Sequence, residues 1–124
     1  MMFDAFKRLI QRLDQSVVER ELRLRAAKRE PLTDVEFAKR YFSDNDEQQV
    51  PIAVARVVRE QLRIENIAPE DNLAAAFPDI PFDEVVKDVL EQLGIPERSF
   101  NFQTLDGTVG NLVDALSVFR RTHP

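Results

Sequence analysis

Between Pro81 and Ile95 the chain reads PFDEVVKDVLEQLGI, a segment compatible with one regular conformation. Phe82, Val85, Val86, Val89, Leu90 and Leu93 recur at three- and four-residue spacing, which lines them along one face of an α-helix. As a strand the same residues would scatter over both sides and bury neither. Asp83, Glu84, Lys87, Asp88 and Glu91 fill the remaining face. Gly94 follows the last apolar residue, where a left-handed turn ends a helix at little steric cost. No run in the 124 residues sustains the period-two alternation of a strand over a useful length, so the predicted fold class is all-α.

Further segments obey the same rule. Phe3, Phe6, Ile10, Leu13 and Val17 share one face of a long first helix, supported by the acid-first pairs Glu19 with Arg23 and Glu21 with Arg25. Pro31 ends that helix, because it disfavours helical geometry at Glu30. Thr33 and Glu36 form a capping-box pattern that opens a short helix bearing Phe37, Tyr41 and Phe42. The polar run Ser43 to Gln49 reads as a linker. Pro51 suits the first turn of a helix whose buried face is Ile52, Val54, Val57, Val58 and Leu62. A long loop from Glu65 to Asp79 is pinned by Ile67, Leu73 and Phe77. Beyond an irregular stretch from Pro96 to Gly107, Thr108 caps a last helix with Val109, Leu112, Val113, Leu116 and Phe119 inside. The sequence divides on this reading into an N-terminal helical extension, 1–45, and a helical bundle, 46–124.

Charge divides along the same line. Up to Glu30, eight basic residues against five acidic ones leave a net +3; from Pro51 to Phe119, five against twelve leave −7. A positive arm on an acidic body is a dipole that steers charged partners by sign. The acidic body disfavours nucleic acid and anionic membrane, and the arm's mixed charges with a single Tyr and no Trp argue against stacking on bases. No apolar run approaches the roughly 20 residues of a membrane span, and Met1 to Gln15 lacks the apolar centre of a signal peptide. With no cysteine there is neither a disulfide framework nor a thiolate site. A cytoplasmic protein is the expectation.

The pieces VARVVREQLRI (54–64), PEDNL (69–73), LEQLGI (90–95) and TVGNLVDAL (108–116) follow one another in an order that resembles the acyl or peptidyl carrier protein family. The likeness covers about residues 50 to 119 and implies a small carrier-protein-like helical bundle. Carrier proteins hold a phosphopantetheine arm on the serine of an Asp-Ser-Leu sequence at the start of their second helix. Here that place reads Pro78-Asp79-Ile80-Pro81-Phe82. Matching Ile80 to the leucine puts Asp79 at the serine position, and matching Phe82 puts Pro81 there. Neither has a hydroxyl, and Ser16, Ser43, Ser99 and Ser117 lie elsewhere. The resemblance therefore implies the family's fold without its covalent chemistry or cofactor. It also implies docking of an acidic helix face, here Asp83, Glu84, Asp88 and Glu91, on basic patches of partner proteins. The same carboxylates also suit a solvated surface, and two of them stabilise the helix dipole without any partner.

Chemistry of other kinds finds few ligands or nucleophiles. His123 is the one histidine and stands next to the last residue. Asp44-Asn45-Asp46-Glu47 starts like a calcium loop, but Gln49 stands where the turn glycine is needed and Ala55 where the bidentate glutamate belongs. Gly107-Thr108-Val109-Gly110 is too short for a phosphate loop and follows no strand. A non-enzymatic, cofactor-free and metal-free domain acting through protein contacts is the leading expectation. The alternative is a membrane-surface or assembly adaptor working through its first helix, whose Phe3, Phe6, Ile10 and Leu13 lie near Lys7, Arg8 and Arg12. Asp4, Asp14, Glu19 and Glu21 dilute that charge, and the spacing equally suits a helix–helix seam with the body or with a second copy as a homodimer. A ligand cavity lined by Val, Leu and Phe between the helices is a third reading.

Overall fold

A computed structural model describes residues 17–123 of the chain. The described residues form an all-α bundle, whose elements are α1 (described over 17–28), α2 (Asp34–Tyr41), α3 (Gln49–Leu62), the single turn α4 (Leu73–Ala76), α5 (Phe82–Leu93) and α6 (Val109–Thr122). Two 3-10 turns, Glu97–Ser99 and Phe102–Thr104, bridge α5 to α6. No strand occurs among the described residues; Asn72 and Thr108 form one isolated antiparallel bridge.

α3 is the central element and packs against α2, α5 and α6. Its Val54, Val57, Val58 and Leu62 are buried as the spacing predicts, with Ala53 and Ala55 completing the face. Val50 is fully buried where Ile52 was expected, and Ile52 is half-exposed. The reason is that α3 starts at Gln49, so Pro51 is its third residue rather than its first, and Val50 joins Val54, Val57 and Val58 at helical spacing. α5 buries Val85, Val86, Val89 and Leu90, and α6 buries Val109, Leu112, Val113 and Leu116. Phe82, Leu93 and Phe119 pack against this core but keep part of their surface in solvent.

Local signals fix most helix ends. Thr33 Oγ1 accepts the Glu36 N–H at 3.1 Å while the Glu36 carboxylate accepts the Thr33 N–H at 3.1 Å, the reciprocal box expected at α2. At the end of α5, Gly94 adopts φ 70°, its N–H donates to Glu91 and the Ile95 N–H donates to Leu90 at 2.9 Å. That pairing is a Schellman turn, closed by the buried Ile95 and Leu90 side chains. α3 ends differently: Arg63 takes the left-handed conformation at φ 56° without being glycine, and Asn66 follows at φ 61°. Such a conformation is uncommon for a residue with a Cβ and persists where surrounding contacts enforce it. Here the Arg23 guanidinium of α1 donates to the Leu62 and Arg63 carbonyls, and it lies 5.3 Å from the centre of the Phe77 ring.

The segment expected as a plain loop between Glu65 and Asp79 contains α4 and is tied firmly to its surroundings. Leu73 N–H donates to Gly107, Val109 N–H to Asp71 and Gly110 N–H to Pro69, so it clamps the start of α6. Gly107, at φ 93°, is required here because an added Cβ would come 2.7 Å from both the Ala74 Cβ and the Asn72 Oδ1. Asp71 is the centre of the clamp. Its side chain is fully buried, receives both arms of Arg29 at 2.6 and 2.9 Å, and accepts the Ala68 N–H at 2.9 Å. Arg29 also donates to the Asn66 carbonyl.

The proposed boundary near residue 45 separates no second core. Leu22 and Ala26 of α1 and Phe37 of α2 belong to the same buried cluster as α3, α5 and α6. The Arg59 guanidinium grips Asp34 at 2.5 and 3.1 Å, fastening α2 to α3. Of the expected first-helix face, Phe3, Phe6, Ile10 and Leu13 lie outside the described residues, and Val17 is 51% exposed, so at that position the face does not pack on the body.

Removing Arg29 leaves the buried Asp71 carboxylate with only the exposed and more distant Arg25 guanidinium, at 3.9 Å. Arg29→Ala is expected to lower stability by about 3–5 kcal/mol, measured by urea denaturation. Arg40→Ala, which breaks an exposed pair with Glu30, is expected to leave the urea midpoint nearly unchanged.

At α6, the Thr108 hydroxyl and then its N–H hydrogen-bond Asp106 and hold that carboxyl below its usual range. A depressed folded value means that the contribution is full above the unfolded carboxylate pKa of about 3.9 and disappears as pH falls through the lower folded one. Thr108→Ala removes the hydroxyl but keeps the backbone N–H, so it is expected to raise the Asp106 titration only part of the way to the ordinary range, followed by carboxyl NMR, and to cost about 1 kcal/mol as a lost helix cap.

Candidate functional site

α5 presents the strongest concentration of one charge on the described surface that sequence reasoning singled out. The stripe Val85, Val86, Val89 and Leu90 faces inward, so the helical period turns Asp83, Glu84, Lys87, Asp88 and Glu91 the other way. Asp83, Glu84 and Glu91 are exposed and Asp88 is half-exposed. The structure thus brings all four predicted docking carboxylates onto one face. Lys87 interrupts them in sequence but is engaged locally, 3.5 Å from Glu84 and 3.6 Å from Glu97. These two carboxylates, Glu84 first, raise its pKa. Lys87 remains 40% exposed, so the face is acidic in sum, four carboxylates against one ammonium.

The start of α5 is built from side chains without a hydroxyl. Pro81 occupies the N-cap, and no side chain caps the first turn. Asp79 and Pro81 are both exposed, while Ile80 and Phe82 both turn towards the core. Alternating exposure over these four residues explains why two registers fit the sequence equally well. Residues 65–82 contain neither Ser nor Thr. Ser117 is buried in α6, donating to the Val113 carbonyl at 2.7 Å and accepting from Asn45.

Beside the acidic face lies a groove of about 810 Å³ whose walls include Asp83, Lys87, Glu97, Arg98, Phe100 and Phe102. Phe100 and Phe102 meet edge to face at 5.7 Å. Sequence reasoning treated this stretch as irregular and missed the groove, because it depends on the two 3-10 turns folding back under α5. A second groove, of about 670 Å³, opens where α1 meets the end of α3 and is lined by Arg23, Arg59, Glu60, Arg63 and Glu65 among others. Its lining mixes these charged side chains with Ala26, Ala27 and Ile64 and holds none of the Val, Leu and Phe considered from sequence. Arg23 and Arg59 already spend their donors on carbonyls and on Asp34.

The remaining motifs resolve into local structure. Asn45 Oδ1 accepts the Glu47 N–H, and Gln48 donates to the Phe42 and Asn45 carbonyls, so Asp44-Asn45-Asp46-Glu47 forms the turn into α3. His123 is exposed and stacks on Phe119 with ring centres 4.1 Å apart. Among the described residues no three acidic or histidine side chains converge to hold a metal ion, and no helix is long and apolar enough to cross a membrane. Compared with known proteins, the chain matches no family model, no curated protein and no solved structure.

Proposed function

We propose that this chain is a carrier-protein-like bundle without a prosthetic group, which works by presenting the acidic face of α5 to a basic patch on a partner protein. The observation that carries the reading is the α5 face itself. Asp83, Glu84, Asp88 and Glu91 converge there, and Lys87 is turned to its own neighbours. Like charges held on one rigid helix repel one another, and a basic surface relieves that repulsion as it docks. Such contacts mainly accelerate encounter and select partners by sign. The adjacent groove, lined by Asp83, Lys87, Glu97, Arg98, Phe100 and Phe102, offers a mixed charged and apolar surface to a docked side chain.

The order of elements supports the carrier likeness: α3, a long segment with the single turn α4, acidic α5, a short joint and α6. Pro81 at the α5 N-cap favours the register that sets it at the family's serine position. In either register the attachment chemistry lacks its nucleophile, so a phosphopantetheine ester has nowhere to form. The protein acts on this reading without catalysis, as a recognition module.

Two measurements test it. Co-expressed with a broad-specificity phosphopantetheinyl transferase, the intact protein is expected to keep its unmodified mass; an adduct on any serine overturns the cofactor-free reading. In affinity capture from the source cell, the wild type is expected to retain a partner that elutes with salt. The quadruple variant Asp83→Asn, Glu84→Gln, Asp88→Asn, Glu91→Gln should hold it at least about tenfold more weakly. These surface substitutions are expected to change folding stability by no more than about 1 kcal/mol in total. Undiminished capture by the variant refutes α5 as the docking face.

A further inference from the structure

The buried Asp71 receives its charge partners from the end of α1. Arg29 donates to both carboxylate oxygens, and the Arg25 guanidinium stands 3.9 Å away. Both cations that face Asp71 among the described residues therefore come from 25–29. The same part of the chain holds the two non-glycine residues of positive φ, Arg63 and Asn66. Arg23 donates to the Arg63 carbonyl at 3.2 Å, Arg29 to the Asn66 carbonyl at 3.0 Å, and the Leu32 N–H to Asn66 Oδ1 at 3.1 Å. A left-handed arginine is strained and stays so only while its surroundings enforce it. In apolar terms α1 is held lightly: Leu22 and Ala26 are its buried residues among those described. Two clefts border its seam with the body. One of about 670 Å³ has Ala26 and Ile64 in its lining, and one of about 400 Å³ under the linker to α2 has Leu32, Phe37 and Ile64. A close-packed interior leaves no voids of that size, so the seam depends on directional polar contacts that a small displacement breaks.

We propose that α1 is a releasable strap: 17–29 and 63–71 open together as one unit, while α3, α5 and all but the first turn of α6 stay folded. Once α1 lifts, Asp71 loses both cations, and an unpaired carboxylate is not tolerated in an apolar interior. It regains water only if its segment swings outward. That movement breaks the bond from the Ala68 N–H and withdraws the Asp71 and Pro69 carbonyls from the N–H groups of Val109 and Gly110. Arg63 and Asn66 lose at the same moment the contacts that enforce their φ. The coupling is reciprocal, because a segment that opens first removes the acceptors of Arg23 and Arg29. α2 keeps its own hold on α3 through Asp34 and Arg59, so the release ends at the linker 30–33. The open form uncovers Leu22 and Ile64, which are 1% and 3% exposed in the closed one. The proposal stands independently of docking through α5.

Amide hydrogen exchange of the full chain, followed by NMR in low denaturant, tests the proposal. The amides of Ala68, Val109 and Gly110 are expected to share one opening constant with the α1 amides from Leu22 to Ala26. That constant should be at least about tenfold larger than those of Val58 in α3 and Val89 in α5. Arg29→Ala should raise it at the α1, Ala68, Val109 and Gly110 amides by one common factor, on the order of 100-fold. Thiol labelling gives a second reading, because the chain has no cysteine of its own. Ala26→Cys and Ala68→Cys, both at buried positions, should report the same opening constant. Val86→Cys in α5 should stay protected at least about tenfold longer. Where a cysteine variant folds poorly, exchange in the unsubstituted chain decides. A single opening constant for all these amides overturns the proposal, since only global unfolding would then occur. So does exchange in α1 while Ala68, Val109 and Gly110 stay as protected as Val58.

Discussion

The contact between Arg29 and Asp71 ties the end of α1 to a segment some forty residues further along the chain. Asp71 is fully buried, and each of its polar groups has a different destination. Its carboxylate takes two guanidinium N–H donors from Arg29 at the end of α1 and one N–H from Ala68 in its own segment. Its backbone carbonyl takes the N–H of Val109, the first residue of α6. One residue thus fixes α1, the crossing segment and α6 relative to one another. Removing a carboxylate from water is expensive, and a buried ion pair of this kind recovers that cost only when geometry and additional hydrogen bonds are good. The bidentate arrangement and the Ala68 N–H supply both. What the contact contributes most directly is position: nothing apolar would specify where along the crossing segment α1 must end.

The other contacts of α1 and α2 follow the same logic. Arg23 satisfies the Leu62 and Arg63 carbonyls, which a helix C-terminus leaves without intrahelical partners, and so stands in for the glycine that usually turns the chain there. Arg59 fastens α2 through Asp34. The N-terminal residues are consequently bound into the bundle by a few directional cation contacts laid over a modest apolar patch of Leu22, Ala26 and Phe37. The resulting division of labour leaves the acidic side of α5 and the outer side of α1, where Val17 and Leu24 stand among charged residues, as separate surfaces.

Much of this was legible in the residues. The apolar stripes of α3, α5 and α6, the Thr33–Glu36 box, the Thr108 cap and the Gly94 turn are encoded within one or two helical turns, where spacing alone decides which side chains meet. The acidic face of α5 follows from the same spacing, because burying one stripe exposes its complement. Less was legible where two distant segments had to be matched. Glu70 and Asp71 are adjacent acids in the same loop, yet only Asp71 is buried, and no local signal distinguishes them. Val50 replaced Ile52 because α3 starts ahead of the proline that seemed to open it. The groove beside Phe100 and Phe102 escaped because it exists only once the 3-10 turns fold against α5.

By itself the sequence determined that the chain is helical, which stripe of each later helix faces inward, and that no hydroxyl stands at the opening of α5. These are properties of periodicity and residue type, and they hold in any packing. Tertiary structure alone decided that α1 and α2 share the bundle's core instead of forming a separate appendage, and which side of α1 is left over. That choice rests on hydrogen bonds between residues some forty positions apart, Arg29 to Asp71 and Arg23 to Leu62. Such pairings become favourable only after the helices have brought the partners together and excluded water from around them.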